Sequence, residues 1–180
     1  MYYDTYMNEP FNVMLAEGGK TNSLGRVGEV IEAVLSNHDR LDELYSCMLN
    51  DDDWIKMRAA DAMEKICRLH PNWVEPYTDT FILGLNNDPQ PSIQWHLAQI
   101  YTQVDLSDSQ RATVILWLES ILSTTDVDWI VAANAMTALK YFTDQGHYTA
   151  EKMREIFILQ QKHSSKSVAK KASKLLSELM

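Results

Sequence analysis

The chain has 180 residues, which suits one domain or one short repeat array. Gly and Pro are scarce, at 6 and 5 residues, and the helix-forming residues Ala, Leu, Met, Glu and Lys are common, a composition that argues against a β-sandwich. The formal net charge of −9 repels phosphate backbones, so we do not expect a nucleic-acid partner.

Helix start and stop signals recur along the first half of the chain. Proline can begin a helix, polar residues cap helix N-termini, and glycine or proline follows helix C-termini. These signals predict helices at residues 10–18, from Asn22 or Ser23 to Asn37, at 40–49, at 53–69 and at 74–86. Three consecutive acids, Asp51, Asp52 and Asp53, precede the fourth helix. We interpret them as an N-cap with acids near the positive end of the helix dipole, in preference to a metal site.

The second half of the chain continues in the same way, with no alternating pattern that would predict a strand. We predict helices at residues 91–104, 108–123, 126–143, 149–162 and 165–179. The N-terminal sequence MYYDTYMNEP lacks the features of a secretory signal, and no apolar run approaches the ~18 residues of a membrane span. Cys47 and Cys67 lie without the CxxC spacing of a zinc site. We therefore expect a soluble, cytoplasmic, acidic protein.

One phrase occurs twice in the sequence, as AADAM at residues 59–63 and AANAM at 132–136. A 12-residue frame built on this phrase fits residues 55–66, 93–104, 128–139 and 168–179, and more weakly 24–35. Frame positions 1, 5, 8, 9 and 12 are mostly apolar or small, and their spacing traces one stripe along a helix. This stripe predicts a core face, on which four alanines lie buried between helices: Ala59, Ala62, Ala132 and Ala135.

The frame resembles the second helix of a HEAT repeat, as seen best in Ile55-Lys56, Ala59, Ala62-Met63 and Ile66. The resemblance to this armadillo-type family is at the level of the repeat and covers nearly the whole chain. The family's Asp–Arg turn signature is missing from the third and fourth units. The resemblance implies an all-α fold, an α-α superhelix or α-solenoid of about five stacked antiparallel helix pairs, in a single domain over residues 1–180. In this family the second helices line the concave side, which usually binds a partner.

Frame position 3 lies about 200° around the helix from position 1, on the side away from the core stripe. In three successive units position 3 is apolar and position 7 is polar, which gives the set Met57, Asp61, Trp95, Gln99, Ile130 and Asn134. Lys170 interrupts the apolar row in the last unit. An apolar row beside polar residues is typical of recognition surfaces, so these six residues are predicted to bind a partner. The alternative is that a loop or the N-terminal segment covers the apolar row.

The other tryptophans are expected to have structural roles. Trp73 and Trp117 lie on first helices and are predicted to be core residues, whereas Trp54 and Trp129 lie near the starts of second helices and are expected to pack under the turns. Four of the five histidines fall at predicted turns or helix ends. His96 alone lies well inside a predicted helix, where a structural role is expected.

Enzyme signatures are absent from the sequence, which contains no HExxH, GxSxG, GxGxxG or P-loop motif. We predict no catalytic residue, metal or cofactor, and the first interpretation is a scaffold or interaction module that binds a protein. The alternative is an enzyme on the same scaffold, resembling either the DNA alkylation repair glycosylases, with Trp95 and Asp61 in the site, or the HEAT-like bilin lyases. A third possibility is a partner subunit whose groove is filled in an oligomer, and the sequence leaves the oligomeric state open.

Overall fold

A computed structural model describes residues 8–18 and 23–178, and every regular element within these ranges is a helix. The chain divides into two compact units, Met1–Tyr77 and Thr78–Met180. Within each unit the helices pack against one another, so the predicted all-α fold class is confirmed.

A long central helix, α4, organises the first unit. The α-helices of this unit are α1 (Phe11–Ala16), α2 (Val27–Ser36), α3 (Leu41–Met48), α4 (Asp53–Leu69) and α5 (Pro71–Val74), with 3₁₀ turns at His38–Arg40 and Glu75–Tyr77. α4 packs against α1, α2, α3 and α5. Its core stripe includes Ala59, Ala62, Met63 and Ile66, which are fully buried. Two alanines in this stripe let the neighbouring helices approach closely, because they add little volume between the backbones.

An aspartate caps each of the two helices that carry the repeated phrase. Asp52 Oδ1 accepts hydrogen bonds from the backbone N–H groups of Trp54 (2.9 Å) and Ile55 (3.1 Å) at the start of α4. Asp128 Oδ1 does the same for Ile130 (2.8 Å) and Val131 (3.3 Å) in the second unit. These bonds satisfy N–H groups that have no partner within the helix. The interpretation of residues 51–53 as a helix cap is therefore confirmed.

Two helices of the first half differ from their predicted bounds. Asn22 lies outside the described residues, and α2 begins at Val27, four residues after Ser23, because Gly25 adopts φ +53°, outside the helical region. The helix predicted at 74–86 is interrupted by the 3₁₀ turn at Glu75–Tyr77, and a new helix begins at Thr78. Pro76 lies in this turn and has no N–H to donate, so it cannot continue an α-helical hydrogen-bond ladder.

The second unit is a two-layer stack of helices. Its α-helices are α6 (Thr78–Gly84), α7 (Pro91–Ile100), α8 (Asp108–Leu122), α9 (Trp129–Asp144), α10 (Ala150–Gln160) and α11 (Lys166–Ser177). One layer contains α6, α8 and α10 in contact with their neighbours, and the other contains α7, α9 and α11. α9 also packs against α8 and α10, and α10 against α11, which joins the layers. This arrangement is the stacking of helix pairs that the repeat predicted.

Most of the predicted core stripe is confirmed by burial. Ala59, Ala62, Ala132 and Ala135 are all fully buried. The weak fifth fit, at residues 24–35, is wrong in register: its end positions Leu24 and Leu35 are exposed, and the buried residues of α2 are Val27, Val30, Ala33 and Val34. The displacement follows from the turn at Gly25, which fixes where α2 begins and therefore which side of it faces α4.

Candidate functional site

Four of the six predicted site residues lie together on two packed helices of the second unit. Trp95 and Gln99 lie one helical turn apart on α7, as do Ile130 and Asn134 on α9, and all four are half-buried. Gln99 Nε2 donates a hydrogen bond to Asn134 Oδ1 (2.9 Å), and Asn134 Nδ2 donates to the Ile130 carbonyl (2.9 Å). The amide pair therefore fixes the two helices in register, with an apolar side chain one turn before it on each helix.

Trp95 has an indole N–H that donates to no residue that the structure describes. Its ring lies against the adjacent His96 ring, with centroids 3.4 Å apart. His96 itself is buried, and its Nδ1 is bonded to the Ser92 carbonyl (2.6 Å), which agrees with the structural role expected for it. Trp117, by contrast, donates its indole N–H to the Asn86 carbonyl (2.8 Å). Trp95 thus keeps a donor that a bound molecule can use.

The same face of α9 extends beyond the predicted site. Residues 130, 134, 137 and 141 follow the helical spacing of one side, and both Thr137 and Tyr141 are exposed. Thr137 Oγ1 donates to the Ala133 carbonyl within its own helix (2.9 Å), whereas the Tyr141 ring contacts Phe142 edge-on. The sequence frame missed Tyr141 because it ended at residue 139. Continuing its period by one turn would have found this exposed aromatic residue.

The equivalent face of the first unit carries paired charges. Met57 and Asp61 are half-buried on α4, and the Asp61 carboxylate lies 2.7 Å from Lys65 Nζ. Further along, the buried Glu64 pairs with Arg68 (2.6 Å), and this hydrogen bond raises the pKa of the Arg68 guanidinium. The charges on this face are therefore largely neutralised within the helix.

Two tryptophans lie on the surface, contrary to expectation. The side chains of Trp54 and Trp129 are 39% and 52% exposed, so the prediction that they pack under turns is wrong. Both belong to the first turn of their helices, directly after the aspartate-capped start. Trp73 and Trp117 are half-buried rather than fully buried core residues, and Trp73 stacks on His70 with ring centroids 4.0 Å apart.

Metal ligands, membrane-spanning helices and reactive cysteines are three further features to consider in the described part of the chain. Residues 8–18 and 23–178 contain no group of three or more His, Cys, Asp or Glu side chains that could hold a metal ion. None of the helices in those ranges is long and apolar enough to cross a membrane. Cys47 and Cys67 are free and buried, and burial raises the pKa of their thiols to about 11 and about 12. Such thiols remain protonated at neutral pH and are poor nucleophiles.

Comparison with known proteins identifies the repeat. No curated protein and no solved structure matches the chain. The family described as the HEAT repeat domain matches residues 19–123, which is more than half of the 180 residues. The stacked helix pairs, the recurring alanine stripe and this match together show that the chain belongs to the HEAT repeat domain family.

Proposed function

We propose that this protein is an interaction module that binds another protein on the non-core face of its second helices. HEAT repeats are commonly protein-interaction scaffolds. The binding residues proposed are those of the sequence analysis, in each unit separately: Met57 and Asp61 in the first, and Trp95, Gln99, Ile130 and Asn134 in the second. The observation that carries the proposal is the half-buried Trp95, whose indole N–H has no acceptor among the described residues.

The composition of the α7–α9 face supports a protein ligand. Trp95 and Ile130 supply apolar surface, and Gln99 and Asn134 supply polar atoms beside it, which is the arrangement of a protein interface with an apolar centre and a polar rim. Trp is also enriched among residues whose truncation costs about 2 kcal/mol or more of binding free energy. The exposed Tyr141 on the same side of α9 enlarges the aromatic surface.

The amide pair supports recognition of a polypeptide backbone. Gln99 uses one N–H to bond Asn134, and its Oε1 accepts from no described residue. A side-chain amide has two donor hydrogens and an acceptor oxygen. Gln99 can therefore accept a hydrogen bond from a backbone N–H of a bound segment while its bond to Asn134 remains intact. Neutral amides also lack the strong salt dependence of a charged site.

Affinity capture with a matched pair of variants tests the proposal. The tagged 180-residue chain and its variants Trp95→Ala and Leu116→Ala are used to capture proteins from a lysate of the source cells, and captured proteins are quantified by mass spectrometry. Leu116 is the control because it is an apolar residue in the same unit, 65% exposed on α8, outside the proposed face. We expect the proteins enriched by the unaltered chain to be lost with Trp95→Ala and retained with Leu116→Ala.

Two results would contradict the proposal. Equal loss of captured proteins with both variants would show that exposed apolar residues in general, and not this face, are responsible. The second result is that every captured protein is retained by the double variant Trp95→Ala with Ile130→Ala. The partner would then bind elsewhere on the chain.

A further inference from the structure

The outer side of α11 carries a row of lysines. Lys166, Lys170 and Lys174 are spaced by four residues, so they lie along one side of the helix, and all three are exposed. The buried residues of α11, Val168 and Ala172, lie on its other side. We call the row formed by Lys166, Lys170 and Lys174 the lysine face.

The described part of the chain does not neutralise the lysine face. None of its three ammonium groups forms an ion pair with a residue in 8–18 or 23–178, including Glu178, which follows Lys174 by four positions. Elsewhere in the described residues, ion pairs engage Arg26, Arg40, Lys65, Arg68, Arg111 and Lys140. The described residues therefore leave the positive charge of the lysine face available to solvent or a bound anion.

This charge pattern is unfavourable for the isolated helix. Like charges four residues apart repel one another, and Lys166 occupies the first helical position, where the dipole disfavours a cation. Lys171 adds to the crowding: burial, and next the neighbouring charge of Lys174, lower the pKa of its ammonium group. Lys174, in the last turn, is favoured by the dipole, so the unfavourable part of the pattern lies at Lys166 and Lys170. Local patterns that oppose the helix in this way are common at binding sites.

The lysine face continues the proposed binding face within the second unit. α11 packs against α9, which packs against α7. Lys170 occupies the same repeat position as Ile130 and Trp95, and Lys174 occupies that of Asn134 and Gln99. We propose that the protein segment bound by this face is acidic where it lies on α11, so that its carboxylates pair with Lys170 and Lys174. The placement of that segment beside Trp95 rests on the proposed function.

An acidic polypeptide fits this surface better than a membrane or a nucleic acid. Between residues 159 and 178 no large hydrophobic side chain is exposed, so the described part of α11 offers nothing to insert into a lipid bilayer. Residues 1–146 contain nine Lys and Arg against 22 Asp and Glu, a balance of −13 that repels a long polyphosphate chain. A short acidic segment can pair with the lysine face without approaching the rest of the chain.

Binding of labelled dodecaglutamate to the 180-residue chain, followed by fluorescence anisotropy, tests the inference. The test variant is Lys170→Glu with Lys174→Glu, and Lys170→Gln with Lys174→Gln is a second variant that avoids new negative charge near the helix end. The control is Lys152→Glu with Arg154→Glu, which changes the net charge by the same amount on exposed residues of α10. We expect about tenfold weaker binding for the charge-reversed lysine-face variant and less than about twofold for the control. Binding should also weaken between about 20 and 150 mM salt.

The outcomes separate this inference from the proposed function. The acidic-segment inference is overturned if the α10 control weakens dodecaglutamate binding as much as the lysine-face variant does. It is also overturned if phosphatidylserine vesicles or single-stranded DNA bind more tightly than dodecaglutamate. Absence of dodecaglutamate binding at low salt would overturn it too, and would leave the Trp95 site untouched. If the lysines bind the acidic segment directly, Trp95→Ala should retain dodecaglutamate binding and the lysine-face variants should lose it. If Trp95→Ala captures the same proteins from the lysate as the unaltered chain, the proposed function is wrong and the acidic-segment inference is not affected.

Discussion

Replacing Trp95 by alanine should weaken partner binding more than it weakens the fold. Truncating a fully buried Trp costs about 3–5 kcal/mol of stability. Trp95 is half-buried and loses no hydrogen bond to a described residue, so we expect about 1–2 kcal/mol. Trp117 is the matched comparison, because it is half-buried in the same unit but donates to the Asn86 carbonyl and meets the Tyr101 ring edge-on. Leaving that carbonyl without its donor adds about 1–2 kcal/mol, so Trp117→Ala should lose about 3 kcal/mol.

Urea unfolding followed by far-ultraviolet circular dichroism measures this difference. Both residues belong to the unit Thr78–Met180, so the comparison does not depend on how the other unit unfolds. With a urea slope of about 1–3 kcal/mol per M, the Trp117→Ala midpoint should lie about 0.5–1 M below that of Trp95→Ala. A Trp95→Ala variant that is as unstable as Trp117→Ala would refute the reasoning, because Trp95 would then be a packing residue and its effect on binding would be indirect.

Other substitutions test the packing and the buried groups. Ala62→Leu should overpack the fully buried stripe of α4 and cost about 1–3 kcal/mol in urea unfolding, and an unchanged midpoint would contradict the close helix approach. Gly18→Ala should destabilise the first unit, because its Cβ would lie 1.7 Å from the guanidinium of Arg58. Gly28→Ala has open space around its Cβ and should stabilise α2 by roughly 0.5 kcal/mol. Urea midpoints of the two variants that shift in the same direction would contradict this prediction. Burial raises the pKa of Cys67 from 9.0 to about 12, so the unfolded thiol loses its proton first and stability falls as pH rises through that window. Cys67→Ala should make that alkaline decline shallower, and an unchanged slope would argue against the burial effect.

Much of the fold could be predicted from short-range patterns. The spacing of Ala59, Ala62 and Met63, and of Ala132, Ala135 and Met136, places each set on one side of a helix whatever the helix contacts. Asp52 and Asp128 mark helix starts because a carboxylate can bond the free N–H groups of the first turn using only local geometry. These features depend on residues within a few positions of one another, so the sequence alone was sufficient for them.

The candidate site depended more on the tertiary structure. The helical period placed Trp95 and Ile130 away from the core stripe, but only the packing of α7 on α9 brought Gln99 to Asn134 and left Trp95 half-buried. Exposure is a property of the neighbouring helices, which explains why Trp54 and Trp129 lie on the surface against expectation.

By itself, the sequence determined the helices, their core stripe and the HEAT character of the chain, because local hydrogen bonding and a 3.6-residue period decide these. The tertiary structure alone decided the register of α2, which the turn at Gly25 sets, and the division into two compact units. It also decided the ion pairs between distant residues, whereas most ion pairs of the described residues join side chains three or four positions apart, as the sequence can predict. Ion pairs such as Arg26 with Glu9 join residues far apart in sequence, and the lysines of α11 lie where no described carboxylate reaches them. Contacts of this kind depend on which surfaces meet after folding, and composition and periodicity carry no information about that.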